Sequence, residues 1–293
     1  MVTELDVEVV LEARAQVGEG PVWDERSGTL VWVDIMGTAV HIYDAASGQD
    51  RSVDVGQPVG AAALRERGGL VLALRDGFAV LDSDLANQRL VAPVEADVPT
   101  NRMNDGKCDA AGRFWAGTMA FEVTPGVGSM YRLDSDYQVT RAASGITLSN
   151  GLDWSIDNRR MYYIDSMTQR VDVFDFDLEA GALGARSELF SIPREVGLPD
   201  GMTLDAEGNL WVALHGAGAV HCYSPAGELL AKVRVPARQV TCPAFGGPDY
   251  RDLYITSMTY GLSEEVLRPQ PLAGALFRCR PGVQGRPAFR FAG

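Results

Sequence analysis

Residues 204–212 read LDAEGNLWV, an apolar end, a polar turn with glycine, and a strand that starts with leucine and a large aromatic residue. The same unit recurs as VWDERSGTLVWVD, CDAAGRFWAG and LDWSIDNRRMYYID at residues 22–34, 108–117 and 152–165. Weaker copies occupy residues 64–72 and 244–255. Short apolar runs separated by turn residues indicate a chain that is mostly β.

The spacing of these copies predicts the architecture. One marker per copy, at positions 32, 72, 115, 163, 211 and 254, gives intervals of 40, 43, 48, 48 and 43 residues. Periods of roughly 40–50 residues with several strands each are typical of propeller blades. We therefore predict an all-β, six-bladed β-propeller, with residues 1–293 as a single domain. A two-sheet sandwich would explain the many strands but not their even spacing. One short helix, capped by Ser263, is predicted over residues 263–267.

Composition and charge exclude several classes of function. The chain has 293 residues, 46% of them hydrophobic, which is enough for a large core. Its net charge of −13 argues against binding to nucleic acid or to an anionic membrane. No apolar run approaches the roughly 18 residues that a membrane helix needs. We expect a small-molecule substrate, with neither nucleic acid nor membrane as partner.

The cysteines and the N-terminal residues indicate the cellular compartment that we expect for this protein. Cys108, Cys222, Cys242 and Cys279 stand far apart, without a C-x-x-C pair. This spacing favours small buried thiols of a reducing cytoplasm over a disulfide framework or a zinc site. The first eight residues include three acidic ones and no apolar stretch behind a positive region, so we expect no secretory signal in the sequence as written. A cytoplasmic protein is predicted.

Residues that stand at matching distances before the markers of different blades should lie around one axis. Four such positions carry oxygen-bearing side chains. Glu19 and Asn150 precede their markers by 13 residues, whereas Asp200 and Asn104 precede theirs by 11. Alone, each Asn-Gly or Asp-Gly pair would be interpreted as an ordinary turn. Together, two carboxylates and an amide around an axis suit a hard divalent cation. The sequence therefore predicts a metal site at one end of the propeller axis.

Two further residues extend this cluster. Arg102 can donate to hydroxyl or carboxylate oxygens, and Glu122 can accept from a hydroxyl. For Arg102 alone, a surface ion pair with Asp105 is an equally good interpretation. The motifs G-x-S-x-G, H-E-x-x-H and G-x-x-x-x-G-K are absent from the sequence. For His215, which closes a predicted strand, a place in the wall of the pocket is left open, and we expect a structural role rather than a chemical one.

At these motifs the chain resembles the SMP-30/gluconolactonase/luciferin-regenerating-enzyme family, which includes regucalcin. The most specific segment is NRMNDGKCDAAGRFWAGTM at residues 101–119, and the resemblance extends from residue 18 to residue 274. The loops and tail are most similar to bacterial sugar-lactone hydrolases. The family is built as a six-bladed propeller, in agreement with the repeats.

The resemblance implies roles for six residues of this chain. Glu19, Asn150 and Asp200 correspond to the metal ligands of the family, and Asp200 also to its general base. Substrate contacts are implied for Arg102, Asn104 and Glu122. Phe121 lies in a rim region that varies within the family, so the substrate is left open.

These observations lead to an expected activity, metal-dependent hydrolysis of a sugar-acid (aldono-) lactone, or a similar small lactone, to the hydroxy acid. The cation would polarise the carbonyl, and either Asp200 or the cation itself would activate the attacking water. One divalent ion is expected, calcium first, with zinc, manganese, magnesium or iron as alternatives. The competing hypotheses are a calcium-binding regulator without significant turnover, a phosphotriesterase-like hydrolase, and a scaffold that binds proteins at its rim. The sequence does not indicate the oligomeric state.

Overall fold

The computed structural model describes residues 2–293 and arranges more than half of them as strands in six sheets. Two strands precede the first blade, β1 (Thr3–Asp6) and β2 (Glu8–Leu11). The first blade comprises β3 (Gly18–Asp24), β4 (Thr29–Asp34), β5 (Ala39–Asp44) and β6 (Gln49–Asp54). The second comprises β7 (Val59–Leu64), β8 (Leu70–Leu74), β9 (Gly77–Leu81) and β10 (Gln88–Pro93). The third comprises β11 (Asn101–Cys108), β12 (Phe114–Ala120), β13 (Gly128–Leu133) and β14 (Val139–Ile146).

The remaining blades repeat this antiparallel order. The fourth comprises β15 (Ser149–Trp154), β16 (Arg160–Asp165), β17 (Arg170–Asp177) and β18 (Ala182–Ser191), with a 3-10 turn at Ser166–Thr168. The fifth comprises β19 (Leu198–Leu204), β20 (Leu210–His215), β21 (Ala219–Tyr223) and β22 (Leu229–Arg234). The sixth comprises β23 (Val240–Gly246), β24 (Asp252–Ser257) and β25 (Leu276–Cys279), with the helix α1 (Glu264–Leu267) between its last two strands. The six-bladed β-propeller is confirmed, and the predicted helix forms with Ser263 as its cap.

The N-terminal strands close the ring of blades. β2 pairs antiparallel with β25 and completes the sixth blade, while β1 pairs parallel with β22 at the outer edge of the fifth. These pairings cover strand edges that would otherwise be free to bind another chain. Because the N-terminus is part of two late blades, we propose that residues 1–293 fold as one domain.

The repeat markers all lie in the second strand of a blade, where they fill the space between sheets. Five of the six are aromatic and almost completely buried, namely Trp32, Trp115, Tyr163, Trp211 and Tyr254. The indole N–H groups of Trp115 and Trp211 donate to Asp109 and Asp205, at 2.8 and 3.1 Å. In these two blades the turn before the second strand supplies the acceptor that the buried indole needs, whereas the Trp32 indole donates to Asp50 at 3.3 Å. The four cysteines are buried and unbridged.

Each innermost strand departs from regular pairing near its first residues. The register shifts lie at Glu19/Val22 in β3, Val59/Ala61 in β7, Met103/Gly106 in β11, Ser149/Leu152 in β15, Pro199/Met202 in β19 and Val240/Pro243 in β23. Such bulges re-aim side chains and often border active sites. They occur at the same end of all six inner strands, which we call the upper end of the propeller.

Glycines at these bulges allow neighbouring blades to approach closely. A Cβ on Gly201 would lie 2.5 Å from the Cys242 Sγ, and one on Gly151 would lie 2.7 Å from the Met202 nitrogen. Both distances are too short for a side chain, so only glycine fits. The Asn150-Gly151 and Asp200-Gly201 pairs therefore lie in strands at contacts between blades, and the interpretation of each pair alone as a turn is wrong.

The C-terminal segment, residues 284–293, crosses the lower end and contacts every blade. Its partners are the Asp24 carboxylate, the Leu64 carbonyl, the Gly112 carbonyl, the Trp154 carbonyl, the Ala206 N–H and the Tyr250 carbonyl. The central channel is therefore covered at this end. Within residues 2–293, no helix is long and apolar enough to cross a membrane.

Candidate metal centre

A cavity of about 210 Å³ lies on the axis at the upper end. Five of the six predicted site residues line it, namely Glu19, Arg102, Asn104, Asn150 and Asp200. The sixth, Glu122, is exposed in the turn after β12 and is not part of the cavity wall, whereas its neighbours Phe121 and Val123 are. The convergence expected from matching offsets thus holds for the residues on inner strands.

The three predicted metal ligands are buried. Glu19, Asn150 and Asp200 are 4%, 3% and 8% exposed. The Gly20 N–H donates to the Glu19 Oε2 at 2.8 Å. The Asn150 Nδ2 donates to the Ser166 Oγ at 2.9 Å, which fixes the amide so that its oxygen is on the opposite side. Three oxygen donors are therefore presented from three different blades.

The charged forms of the two proposed ligand carboxylates, Glu19 and Asp200, are unfavourable without a cation. Burial raises the pKa of Glu19 well above its usual range, and repulsion from Asp200 and Asp105 raises it further. Burial and then repulsion from Asp105 likewise raise the pKa of Asp200. Arg102 offsets part of this repulsion at both carboxylates. A divalent cation between the two carboxylates would neutralise their remaining negative charge.

The donor set fits such a cation. Two carboxylates and one amide oxygen are ligands typical of a hard ion, with water completing its shell. No group of three His, Cys, Asp or Glu residues comes together as a metal cluster in residues 2–293, because the third donor here is an asparagine. Carboxylate and amide oxygens are donors more typical of calcium, magnesium or manganese than of zinc.

Asn104 holds its neighbours in position with all of its amide atoms. Its Oδ1 accepts from the Arg102 guanidinium at 2.6 Å, and its Nδ2 donates to the Ser149 carbonyl at 2.6 Å and to the Asn150 Oδ1 at 3.0 Å. Arg102 also donates to the Met103 carbonyl and lies 6.0 Å from the centre of the Phe121 ring. The alternative surface ion pair between Arg102 and Asp105 is wrong, because Arg102 is turned toward these partners.

Sequence reasoning missed the role of Asp105. Its carboxylate is buried and borders a second, smaller cavity of about 70 Å³ below the first, together with Lys107, Asp153 and Arg286. Burial raises the pKa of Asp105 to about 6, although Lys107 acts in the opposite direction. The Lys107 Nζ lies 2.9 Å from the Asp153 Oδ2 and donates to the Met202 carbonyl. A partly exposed ammonium group, paired with Asp153, thus lines the same small cavity as the Asp105 carboxylate.

His215 also belongs to the cavity rather than to the core. Its Nδ1 lies 3.7 Å from the Asp200 Oδ2, without a hydrogen-bond partner. Burial lowers the pKa of the His215 imidazole. The expected purely structural role does not account for an unpartnered ring nitrogen beside a candidate ligand. The signal available in the sequence was its place at the upper end of β20, next to the cavity.

Residues 17–259, which include the four strands of each of the first five blades and two strands of the sixth, match the family model of the SMP-30/gluconolactonase/LRE-like region. The chain belongs to this family. Within the SMP-30/gluconolactonase/LRE-like family it is 42% identical to regucalcin of Gallus gallus, over 99% of this chain and all of the relative. The resemblance read from the motifs is thereby confirmed.

Solved structures of family members superimpose closely on this one. A regucalcin from Agrobacterium tumefaciens, described as a calcium-binding protein, is 30% identical with a TM-score of 0.95, covering all of both chains. A luciferin-regenerating enzyme is 34% identical with a TM-score of 0.92, covering 98% of this chain and 99% of the other. The propeller and its upper cavity thus stand in a family whose named members include both a calcium-binding protein and an enzyme.

Proposed function

We propose that this protein hydrolyses a sugar-acid lactone, or a similar small lactone, to the hydroxy acid in a reaction that requires one divalent cation. The observation that carries the proposal is the set of buried oxygen donors at the floor of an open cavity, with a guanidinium beside it. The family name adds support, since it includes gluconolactonase. Calcium is the first candidate ion because every donor is oxygen.

Glu19, Asn150 and Asp200 would hold the cation, which when bound supplies Lewis-acid polarisation of the lactone carbonyl. The Asp200 carboxylate borders the cavity and is the group best placed to accept the proton of an attacking water. The carbon–oxygen bond of the ring then breaks, and the same proton can pass to the released ring oxygen as it becomes a hydroxyl group. Water and lactone together give the hydroxy acid, so atoms and charge balance.

Arg102 is proposed to orient the substrate. Its guanidinium already donates to the Asn104 Oδ1 and to the Met103 carbonyl. Its remaining N–H groups are free to donate to an ester oxygen or to the product carboxylate. The hydrogen bonds to protein oxygens hold the guanidinium in place before substrate arrives, which reduces the cost of orienting it. Asn104 acts through Arg102 and Asn150, as a positioning residue.

Proton release from a panel of δ- and γ-lactones tests the proposal. Metal-stripped protein is compared with protein reloaded with calcium, magnesium, manganese, zinc or iron, and spontaneous ring opening is subtracted. Turnover that requires a cation and is lost in Asp200→Ala supports lactone hydrolysis. Cation binding without turnover of any lactone refutes it.

A calcium-binding regulator is the second candidate. It is favoured by two observations: Glu122 lies outside the cavity, and the Agrobacterium tumefaciens relative is described as calcium-binding. The same proton-release assay separates the two functions, because a regulator would bind calcium through Glu19, Asn150 and Asp200 without turnover.

A further inference from the structure

The upper cavity lacks a hydroxyl acceptor at the place where the sequence predicts one. Glu122 was expected to accept from a substrate hydroxyl, but its side chain is exposed in the turn after β12 and outside the cavity wall. Arg102 cannot take over this task, because a guanidinium group only donates hydrogen bonds. A sugar-acid lactone carries several hydroxyl groups, each with one proton to donate. Another residue of the wall must therefore accept from them.

The strongest acceptors of the cavity belong to the proposed metal centre. The oxygens of Glu19, Asn150 and Asp200 would be turned toward a bound cation, and hydroxyl groups next to the cation can also reach them. The Glu19 Oε2 already accepts from the Gly20 N–H at 2.8 Å. A hydroxyl group on the part of the ring that points away from the cation needs a different acceptor.

Two further polar side chains of the wall are used by the protein itself. The Asn104 Oδ1 accepts from Arg102 at 2.6 Å, and the Thr241 hydroxyl donates to the Gly18 carbonyl at 2.6 Å. Tyr260 is 51% exposed at the mouth of the cavity, where water competes for its hydroxyl. Among the described residues that line the cavity, this leaves His215 as the sheltered neutral acceptor.

Strand pairing fixes the place of His215 beside the proposed base. Leu198 of β19 lies opposite His215 of β20, and Asp200 stands two residues further along β19. The His215 Nδ1 is buried without a hydrogen-bond partner, 3.7 Å from the Asp200 Oδ2. The whole side chain is nevertheless 24% exposed, so the accessible edge of the ring is the edge that carries Nε2.

The neighbouring charges determine which ring nitrogen can accept. A distance of 3.7 Å is too long for a hydrogen bond, but the Asp200 carboxylate still favours a proton on the nitrogen that faces it, Nδ1. A cation held by Asp200 would disfavour a second proton on the imidazole. A neutral ring with its proton on Nδ1 has its lone pair on Nε2. The accessible edge of His215 therefore presents an acceptor to the cavity.

We propose that His215 is a specificity-determining residue whose Nε2 accepts a hydrogen bond from one hydroxyl group of the lactone. This inference rests on the proposed lactone hydrolysis and assigns to His215 the hydroxyl contact that was expected of Glu122. Because His215 and Asp200 come from adjacent strands, the recognised hydroxyl lies on the Asp200 side of the ring. A lactone without this hydroxyl would leave Nε2 unpaired in the closed site, which disfavours its binding.

Binding of δ-lactams tests the inference separately from turnover, because a lactam keeps the ring and the carbonyl but resists hydrolysis. Titration calorimetry on the calcium-loaded protein compares a polyhydroxylated δ-lactam with analogues that each lack one hydroxyl group. In the parent protein, removal of the recognised hydroxyl should weaken binding by about tenfold.

Two substitutions of His215 show whether this loss depends on its acceptor. His215→Phe keeps a ring but no acceptor, so it should bind the complete lactam and the critical analogue within about twofold of each other. His215→Gln provides an amide oxygen that can accept, and it should restore at least half of the discrimination on a logarithmic scale.

A histidine outside the cavity provides the matched control. His221 is 7% exposed on β21, the next strand of the same blade, and is not part of the cavity wall. His221→Phe should keep the tenfold discrimination of the parent. Calcium titration of His215→Phe should give an affinity within about twofold of the parent, since His215 is not a proposed ligand. Circular dichroism shows whether each variant is folded.

The outcomes separate the two proposals. Equal discrimination in His215→Phe and the parent, a uniform loss for all lactams, or a tenfold loss of calcium affinity in His215→Phe would overturn the assignment. If the lactams bind as expected but no lactone is hydrolysed, the hydroxyl contact stands and the enzymatic proposal fails. If lactones are hydrolysed but His215→Phe discriminates as the parent does, only the assignment of His215 fails.

Discussion

The Asn104 side-chain amide donates to the Asn150 Oδ1 at 3.0 Å, which links the third and fourth blades at the floor of the upper cavity. The same amide nitrogen donates to the Ser149 carbonyl, so its position is fixed by backbone. Since Asn150 is a proposed ligand, this hydrogen bond orients a donor from behind. Such supporting partners often decide how well a metal site is preorganised.

Asn104→Ala should therefore weaken cation binding although Asn104 is not itself a proposed ligand. Loss of an orienting partner typically costs 10–100-fold in metal affinity, and we expect about tenfold here. Calorimetric titration with calcium measures the change. Asn87→Ala is a control on an exposed loop and should bind as the parent protein does. An unchanged affinity in Asn104→Ala would mean that Asn150 is held without it.

Arg102→Met should change metal affinity and turnover in opposite directions. The guanidinium lies close enough to Glu19 and Asp200 to influence both carboxylates, so its removal lets the site attract a cation more strongly, by several-fold. Turnover should nevertheless fall by about 10–1000-fold if Arg102 orients the ester. Paired measurements of calcium binding and lactone hydrolysis on one preparation provide the test. Parallel loss of both properties would indicate a structural role instead.

The C-terminal segment should stabilise the propeller through Arg290. Its guanidinium is 6% exposed and contacts Asp24 and, at 3.0 Å, Glu25. We expect Arg290→Ala to lower the free energy of unfolding by about 1–3 kcal/mol, because it leaves Asp24 without its cation. Arg234→Ala is the matched control, since Arg234 is 62% exposed beside Glu4 and Asp6 and its loss should change stability much less. Urea unfolding measures the stability of both variants, and equal losses of stability would contradict this role of Arg290.

His221 should make the fold sensitive to acid. Burial lowers the pKa of its imidazole to about 4, and its Nδ1 lies 3.0 Å from the Tyr223 hydroxyl. The unfolded chain takes up a proton below about 6.5, while the folded chain resists until about 4, so stability falls as the pH drops through this window.

His221→Gln removes this difference between the folded and unfolded states. Between pH 7 and pH 4, the free energy of unfolding of the variant should fall by roughly 1–2 kcal/mol less than that of the parent. Urea unfolding at pH 7.0, 5.5 and 4.0 measures both proteins. Identical slopes of stability against pH would exclude His221 as the cause.

The repeat architecture was predictable because each blade needs the same packing. An aromatic residue or leucine in the second strand fills the space between sheets, so its spacing of 40–48 residues reveals the blades directly. Glu19, Asn104, Asn150 and Asp200 were predictable for a related reason. Every inner strand has its bulge at the upper end, and equal offsets from the markers therefore reach equivalent places around the axis.

Residues outside the inner strands were not predictable in this way, because the loops differ in length and direction. Glu122 and Phe121 are adjacent, yet only Phe121 lines the cavity, since the chain turns at Val123 with a positive φ of 53°. His215 lies at the end of β20, the second strand of the fifth blade, and shares no offset with the residues of the inner strands. The place of such residues depends on how loops and strand ends fold back toward the axis, which no local sequence pattern encodes.

The central claim is that Glu19, Asn150 and Asp200 hold one divalent cation that is required for hydrolysis. The most direct measurement is the rate of lactone hydrolysis as a function of calcium bound per chain, in the parent protein, Glu19→Gln and Asp200→Asn. We predict one ion per chain in the parent and a rate proportional to occupancy. Both variants should bind calcium at least about tenfold more weakly, since each loses a charged ligand. Full activity in the metal-free protein, or unchanged calcium affinity in both variants, would contradict the account.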